Sequence, residues 1–134
     1  MTDVAIEPSI TEDELLARFI TSSGWVRHDQ TIRPDAFIPP PDLDLSVTRH
    51  TGLTADELWR IGEDVARTRK LYGSADVFVW AVQRHGLRVE AQPLQENLKH
   101  ASITGWPSNK PAQKNLAQKL AAAAHYVPKP PSVQ

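Results

Sequence analysis

The chain contains no cysteine. Disulfides, thiolate metal sites, iron–sulfur clusters and a cysteine nucleophile are therefore excluded. The absence also suits a reducing cytosol. There is no basic excess: 15 Lys and Arg stand against 16 Asp and Glu, for a net charge of −1. Duplex-binding domains draw most of their affinity from phosphate contacts, so this balance argues against duplex DNA as a partner. No run approaches the ~18 apolar residues of a membrane span. The first residues, Met-Thr-Asp-Val-Ala-Ile-Glu-Pro, lack the basic-then-apolar order of a signal peptide. The expected location is cytoplasmic, with no membrane partner. A Gly-rich phosphate loop, an H-E-x-x-H metal motif and an internal repeat are missing as well. Neither a metal nor a cofactor is expected.

What remains is an ordinary soluble composition, 40% hydrophobic and 23% charged over 134 residues. A chain of this length buries roughly two-thirds of its unfolded surface, enough for one unstapled core. The expected division is a leader over residues 1–9, one domain over 10–127, and a Pro-rich tail over 128–134. Thr11 with Glu14 spells a capping box, and Ile10 with Leu15 a hydrophobic staple, so a helix is expected to follow, carrying Leu15, Leu16, Phe19 and Ile20. Pro39, Pro40 and Pro41 form a stiff extended connector. Residues 43–49 alternate apolar and polar strictly, which predicts a strand with Leu43, Leu45 and Val47 inward. Thr54 with Glu57 gives a second capping box and predicts a helix over 55–71, capped at its end by Gly73.

Residues 75–82 are apolar at every side, and periodicity does not separate strand from helix there. Their density of Val, Phe and Trp favours a central strand with Trp80 in the core. Strands over 87–91 and 99–104 follow, then a helix from Ser108 or Asn109 to about Tyr126, with Pro111 in its first turn. The expected class is α+β: a two-layer sandwich, its small, mostly antiparallel sheet of about four strands packed by two helices, with an extra N-terminal helix.

Chemistry-bearing residues are sparse. A cation directly precedes four of the five histidines, and such a cation can hold an anion for the ring to act on. His100 is the sharpest, because on a strand His100 and Ser102 share a face. His100-Ala-Ser-Ile103 resembles the H-x-[ST]-x tetrapeptide of two-histidine phosphoesterases. In those enzymes His is the acid or base and the hydroxyl holds a phosphate. The family uses two such tetrapeptides, and this sequence has one. His50 is the candidate second base, and Arg49, Ser102 and Lys110 are candidate phosphate holders. Lys110 and Lys114 lie four residues apart on one helix face. Trp25 and Trp106 fall at turns, as core covers or as anchors for a partner.

Ser46-Val-Thr-Arg49, Gly86-Leu87 and His100-Ala-Ser-Ile-Thr-Gly-Trp-Pro107, in that order, resemble a group of small uncharacterised bacterial proteins. Membership would imply a stand-alone bacterial domain encoded among accessory or defence genes. It implies no activity.

Two function classes follow. The first is a non-catalytic module that recognises a protein partner or a second copy of itself. It rests on the missing catalytic constellation, the neutral charge, the turn-borne aromatics and the Pro-rich segment. The second is a small phosphoesterase or ribonuclease with His100 as general acid or base. Single-stranded nucleic-acid binding through Trp and Arg is a third, weaker reading. On balance the sequence leans away from catalysis.

Overall fold

Leu15-Leu-Ala-Arg-Phe-Ile20 forms a strand, β1, in the computed structural model, which describes residues 9–131. The expected N-terminal helix is therefore corrected to a strand. The Thr11–Glu14 signature is a local turn: the Thr11 N–H donates to the Glu14 carboxylate at 2.8 Å, and the Glu14 N–H to the Thr11 carbonyl. The chain then leaves this turn extended, and the reason is burial on two sides. Leu16 and Ile20 enter one core cluster, Ala17 and Phe19 another. A six-residue run buried on both faces belongs in the middle of a sheet.

That sheet has six strands where about four were expected. They are β1, β2 (Leu45–Arg49), β3 (Gly73–Phe78), β4 (Arg88–Ala91), β5 (His100–Thr104) and β6 (His125–Pro128), in the spatial order β4-β5-β2-β1-β3-β6. All neighbouring pairs are antiparallel. β2 and β3 flank β1 and so run parallel to each other. The helix α1 (Ala55–Ala66) carries the chain between them.

The helices cover both faces, so the expected two layers become three. On one face the strand residues Leu16, Ile20, Leu45, Val47, Val77 and Ile103 pack with Val82 of α2 (Val79–Arg84) and Leu120 of α3 (Lys110–Ala123). Ala36 and Phe37, in a 3-10 turn over Pro34–Phe37, join that core and lie against α3. On the other face Ala17 and Phe19 meet Leu58 and Ala66 of α1, together with Leu71.

Both hydrogen bonds of the Thr54–Glu57 capping box form. The helix stops at Ala66, short of residue 71, because Arg67 turns to φ 58°. Its buried stripe is Leu58, Gly62 and Ala66. A Cβ at Gly62 would lie 2.7 Å from Phe19 Cε1 and 2.8 Å from Leu71 Cδ2, so only glycine lets the helix settle onto β1 at this depth. Gly73, expected as a helix cap, opens β3 instead.

The ambiguous run over 75–82 divides. Its first half completes β3, and its second half turns into α2, whose first N–H groups donate to carbonyls of Glu14 and Glu12. This turn sends Trp80 outward, 46% exposed and stacked on Phe78 with ring centroids 5.9 Å apart. Trp80 is thus corrected from core to surface. Asn109 caps α3 by accepting from the Ala112 N–H, with Pro111 in the first turn. The helix ends at Ala123, and the next residues add β6 to the sheet edge. The expected tail starts inside this strand: Pro128 pairs with Gly73, and the Lys129 N–H donates to the Tyr72 carbonyl. Residues 1–8 of the expected leader and residues 132–134 of the tail lie outside the described residues.

Candidate functional site

Strand register places His100, Ser102 and Thr104 of β5 on one face with Ser46 and Thr48 of β2 and Glu90 of β4. This polar half-face lies beside the ground that α1 covers. His100 Nδ1 is 2.9 Å from the Gln92 carbonyl oxygen, which only accepts, so Nδ1 carries a proton. Nε2 is 3.2 Å from the Ser46 hydroxyl. The Ser102 hydroxyl is buried and donates to Gln92 Oε1 at 2.7 Å. His100 and Ser102 thus share a face, as strand geometry requires, but both are turned toward Gln92.

The other predicted site residues take separate partners. His50, just past β2, lies 3.0 Å from Asp76 Oδ1 on β3, and that same oxygen accepts from the buried Ser74 hydroxyl at 2.9 Å. Arg49 is 1% exposed and donates from Nε and Nη2 to the two Glu14 carboxylate oxygens, at 2.8 and 2.9 Å. Its charge is already answered within the core. Burial alone would raise the Glu14 carboxyl. The Arg49 hydrogen bonds, the Thr11 N–H and the charge of Arg49 outweigh that and hold it below the ordinary glutamate value. Trp106 is 6% exposed and donates from Nε1 to the Ile103 carbonyl, so it serves the core. Trp25 is half-buried, with the Arg18 guanidinium 5.6 Å from its ring centroid.

Lys110 lies elsewhere, on a groove of about 650 Å³ between the triple proline and the start of α3. Residues 38–41 and Leu43 form one wall, and Ser108, Lys110, Gln113 and Lys114 the other. Ile38 is 40% exposed at its edge. Gln113 donates from Nε2 to the Pro107 carbonyl and ties the first turn of α3 to the loop before it. No carboxylate lines this groove among the described residues. The walls are apolar, the backbone of residues 39–41 has no N–H to offer, and the two ammonium groups are the only charges. Such a surface takes apolar side chains and a nearby acid.

The contribution of Ile38 and of the three prolines is legible in sequence only as an exposed stiff segment. That it faces α3 follows from Phe37 and Ala36 packing beneath that helix.

No group of three or more His, Asp or Glu among the described residues is placed to hold a metal ion. No helix among them is long and apolar enough to cross a membrane. Comparisons with known protein families, curated proteins and solved structures yield no match.

Proposed function

We propose that this chain is a binding module, without catalysis of its own, that takes an apolar, acid-bearing segment of a partner protein into the groove between residues 38–43 and α3. The observation that carries this reading is the groove: about 650 Å³, walled by Ile38, three prolines and Leu43, with Lys110 and Lys114 opposite. Consecutive prolines are already rigid, so the wall loses little conformational freedom when a ligand arrives. Burying one Leu-sized side chain there stabilises a complex by ~1.5–3 kcal/mol. Exposed lysines add less, on the order of 0–1 kcal/mol each, and act chiefly on specificity and encounter rate. A cytoplasmic setting accords with the cysteine-free composition.

Phosphoester hydrolysis is supported less well. It needs His100 and a second base or cation in one cleft, whereas His50 is joined to Asp76 and Arg49 to Glu14.

A peptide-display selection against the purified protein tests the proposal. Selected peptides are expected to combine Leu, Ile, Phe or Trp with Asp or Glu. Their binding should fall about tenfold or more, some 1.4 kcal/mol, with Ile38→Asp, and should weaken with Lys110→Glu/Lys114→Glu. All three side chains are exposed, so the fold tolerates the changes. Failure to select any saturable binder, or binding indifferent to both variants, overturns the reading.

A further inference from the structure

β1 and β2 pair only at Leu16 with Arg49 and Ala17 with Thr48, although both strands continue further. A crevice of about 60 Å³ lies beyond these pairs, lined by Arg18 and Phe19 on one side and Ser46, Val47 and Thr48 on the other. Arg18 bridges the gap where the backbone ladder stops. It donates from Nε to the Ala36 carbonyl at 2.8 Å and from Nη1 to the Ser46 carbonyl at 3.1 Å. Arg69, in the segment after α1, reaches the same crevice. Its hydrogen bonds to the carbonyls of Ala66 and Val65 are long, 3.4 and 3.5 Å. His100, with its Nε2 toward Ser46, completes the wall.

No carboxylate lines the crevice, and neither arginine has an ion pair among the described residues. Two like charges near one small gap are costly without a counter-charge. Burial, and after it the charge of Arg69, pull Arg18 down to about 10. A mononucleotide base or sugar has no room in so small a space, but one tetrahedral oxyanion does. Guanidinium groups carry several N–H donors in a planar fork suited to such an ion, and Arg18 keeps Nη2 for it once Nε and Nη1 are engaged.

We propose that this crevice is a phosphate site, with Arg18 at its base, Arg69 at its mouth and His100 with Ser46 on its wall. The ligand is inorganic phosphate or the phosphoryl group of a larger molecule. Arg69 is exposed and is the residue that admits or excludes the anion. The site is distant in chemistry from the lysine-flanked groove and does not depend on it.

The test is calorimetric titration with inorganic phosphate, and separately with O-phosphoserine, against chloride at matched ionic strength. Trp25 fluorescence gives a second signal, since Arg18 lies over that ring. Saturable phosphate binding is expected, weakened about tenfold or more by Arg69→Gln and unchanged by Lys114→Gln. Arg18→Gln should abolish it, and Arg69→Gln carries the test if the Arg18 variant does not fold. Binding of phosphoserine as well as phosphate supports the site with a phosphoryl-bearing ligand. Binding of phosphate alone supports it with the free ion. A response no greater than that to chloride, or one indifferent to Arg69→Gln, overturns the proposal.

Discussion

Replacing Glu14 by Gln should be among the most damaging single substitutions in this protein. Glu14 is 7% exposed and Arg49 1% exposed, and two hydrogen bonds of 2.8 and 2.9 Å join them. Arg49 Nη1 is buried with no hydrogen-bond partner, so the guanidinium relies on this one carboxylate for its charge. Glu14→Gln keeps the shape but leaves the cation uncompensated in the core, a change that costs ~3–5 kcal/mol. Set against a total stability of ~5–15 kcal/mol, that is about a fifth or more of the whole. Tm should fall on the order of 10–20 °C.

The double variant Glu14→Leu/Arg49→Met should be much milder, because no charge remains to be buried. Its residual cost, about 1 kcal/mol, is the Thr11 N–H losing its carboxylate acceptor. Acid should reveal the same pair. The folded-state carboxyl titrates below its ordinary value of 4.5, so the unfolded chain takes up the proton first. The stabilisation is complete above 4.5 and is lost as pH falls through the lowered value. Wild type and Glu14→Gln should therefore converge in stability in acid. Urea denaturation followed by tryptophan fluorescence, across pH, measures all of this. A Glu14→Gln loss below about 1 kcal/mol with unchanged m, or strict additivity of the two single changes, would refute the reasoning.

Gly62→Ala should destabilise by ~1–3 kcal/mol although alanine is the better helix former, because its Cβ strikes Phe19 and Leu71; a raised denaturation midpoint would contradict this. Trp106→Ala should cost ~3–5 kcal/mol, whereas Trp80→Ser, which removes a half-exposed ring stacked on Phe78, should cost only about 1 kcal/mol, both read from denaturation midpoints. Acrylamide should quench Trp80 and spare Trp106, and equal accessibility of the two rings would contradict the α2 turn that separates them.

Elements with local punctuation are legible in the sequence alone. The Thr54–Glu57 box starts α1, Asn109 and Pro111 start α3, and the alternation of Leu45 and Val47 with Ser46 marks β2. β1 was not legible, since the same signature that opens a helix at Thr54 forms only a turn at Thr11. The difference lies 35 residues away. Glu14 turns its carboxylate onto Arg49 as well as onto Thr11, and the following six residues find a strand on each side of them. Local propensity yields there to long-range pairing. β6 was hidden for a different reason: four residues ending in proline carry too little pattern to stand out.

The two candidate sites divide along the same line. Lys110 and Lys114 could be placed together from helix spacing alone, but the wall opposite them depends on Phe37 seating residues 38–41 alongside α3. Arg18 could not be singled out, because its role depends on where the β1–β2 ladder stops. Arg49 and Arg18 occupy adjacent strands, and each puts a guanidinium close to the sheet. Of the carboxylates beside β1 and β2, Glu14 is engaged by Arg49 and Thr11, and Asp76 by His50 and Ser74. Arg18 is left with two neutral carbonyls, and Arg69 with two weak ones. The pairing that fixes β1 as a strand therefore also decides which arginine is ion-paired in the core and which is left facing the crevice. Adding a carboxylate to the crevice should silence the second arginine without disturbing the first: Ser46→Glu, exposed on the crevice wall, should abolish phosphate binding while leaving the Glu14–Arg49 pair intact.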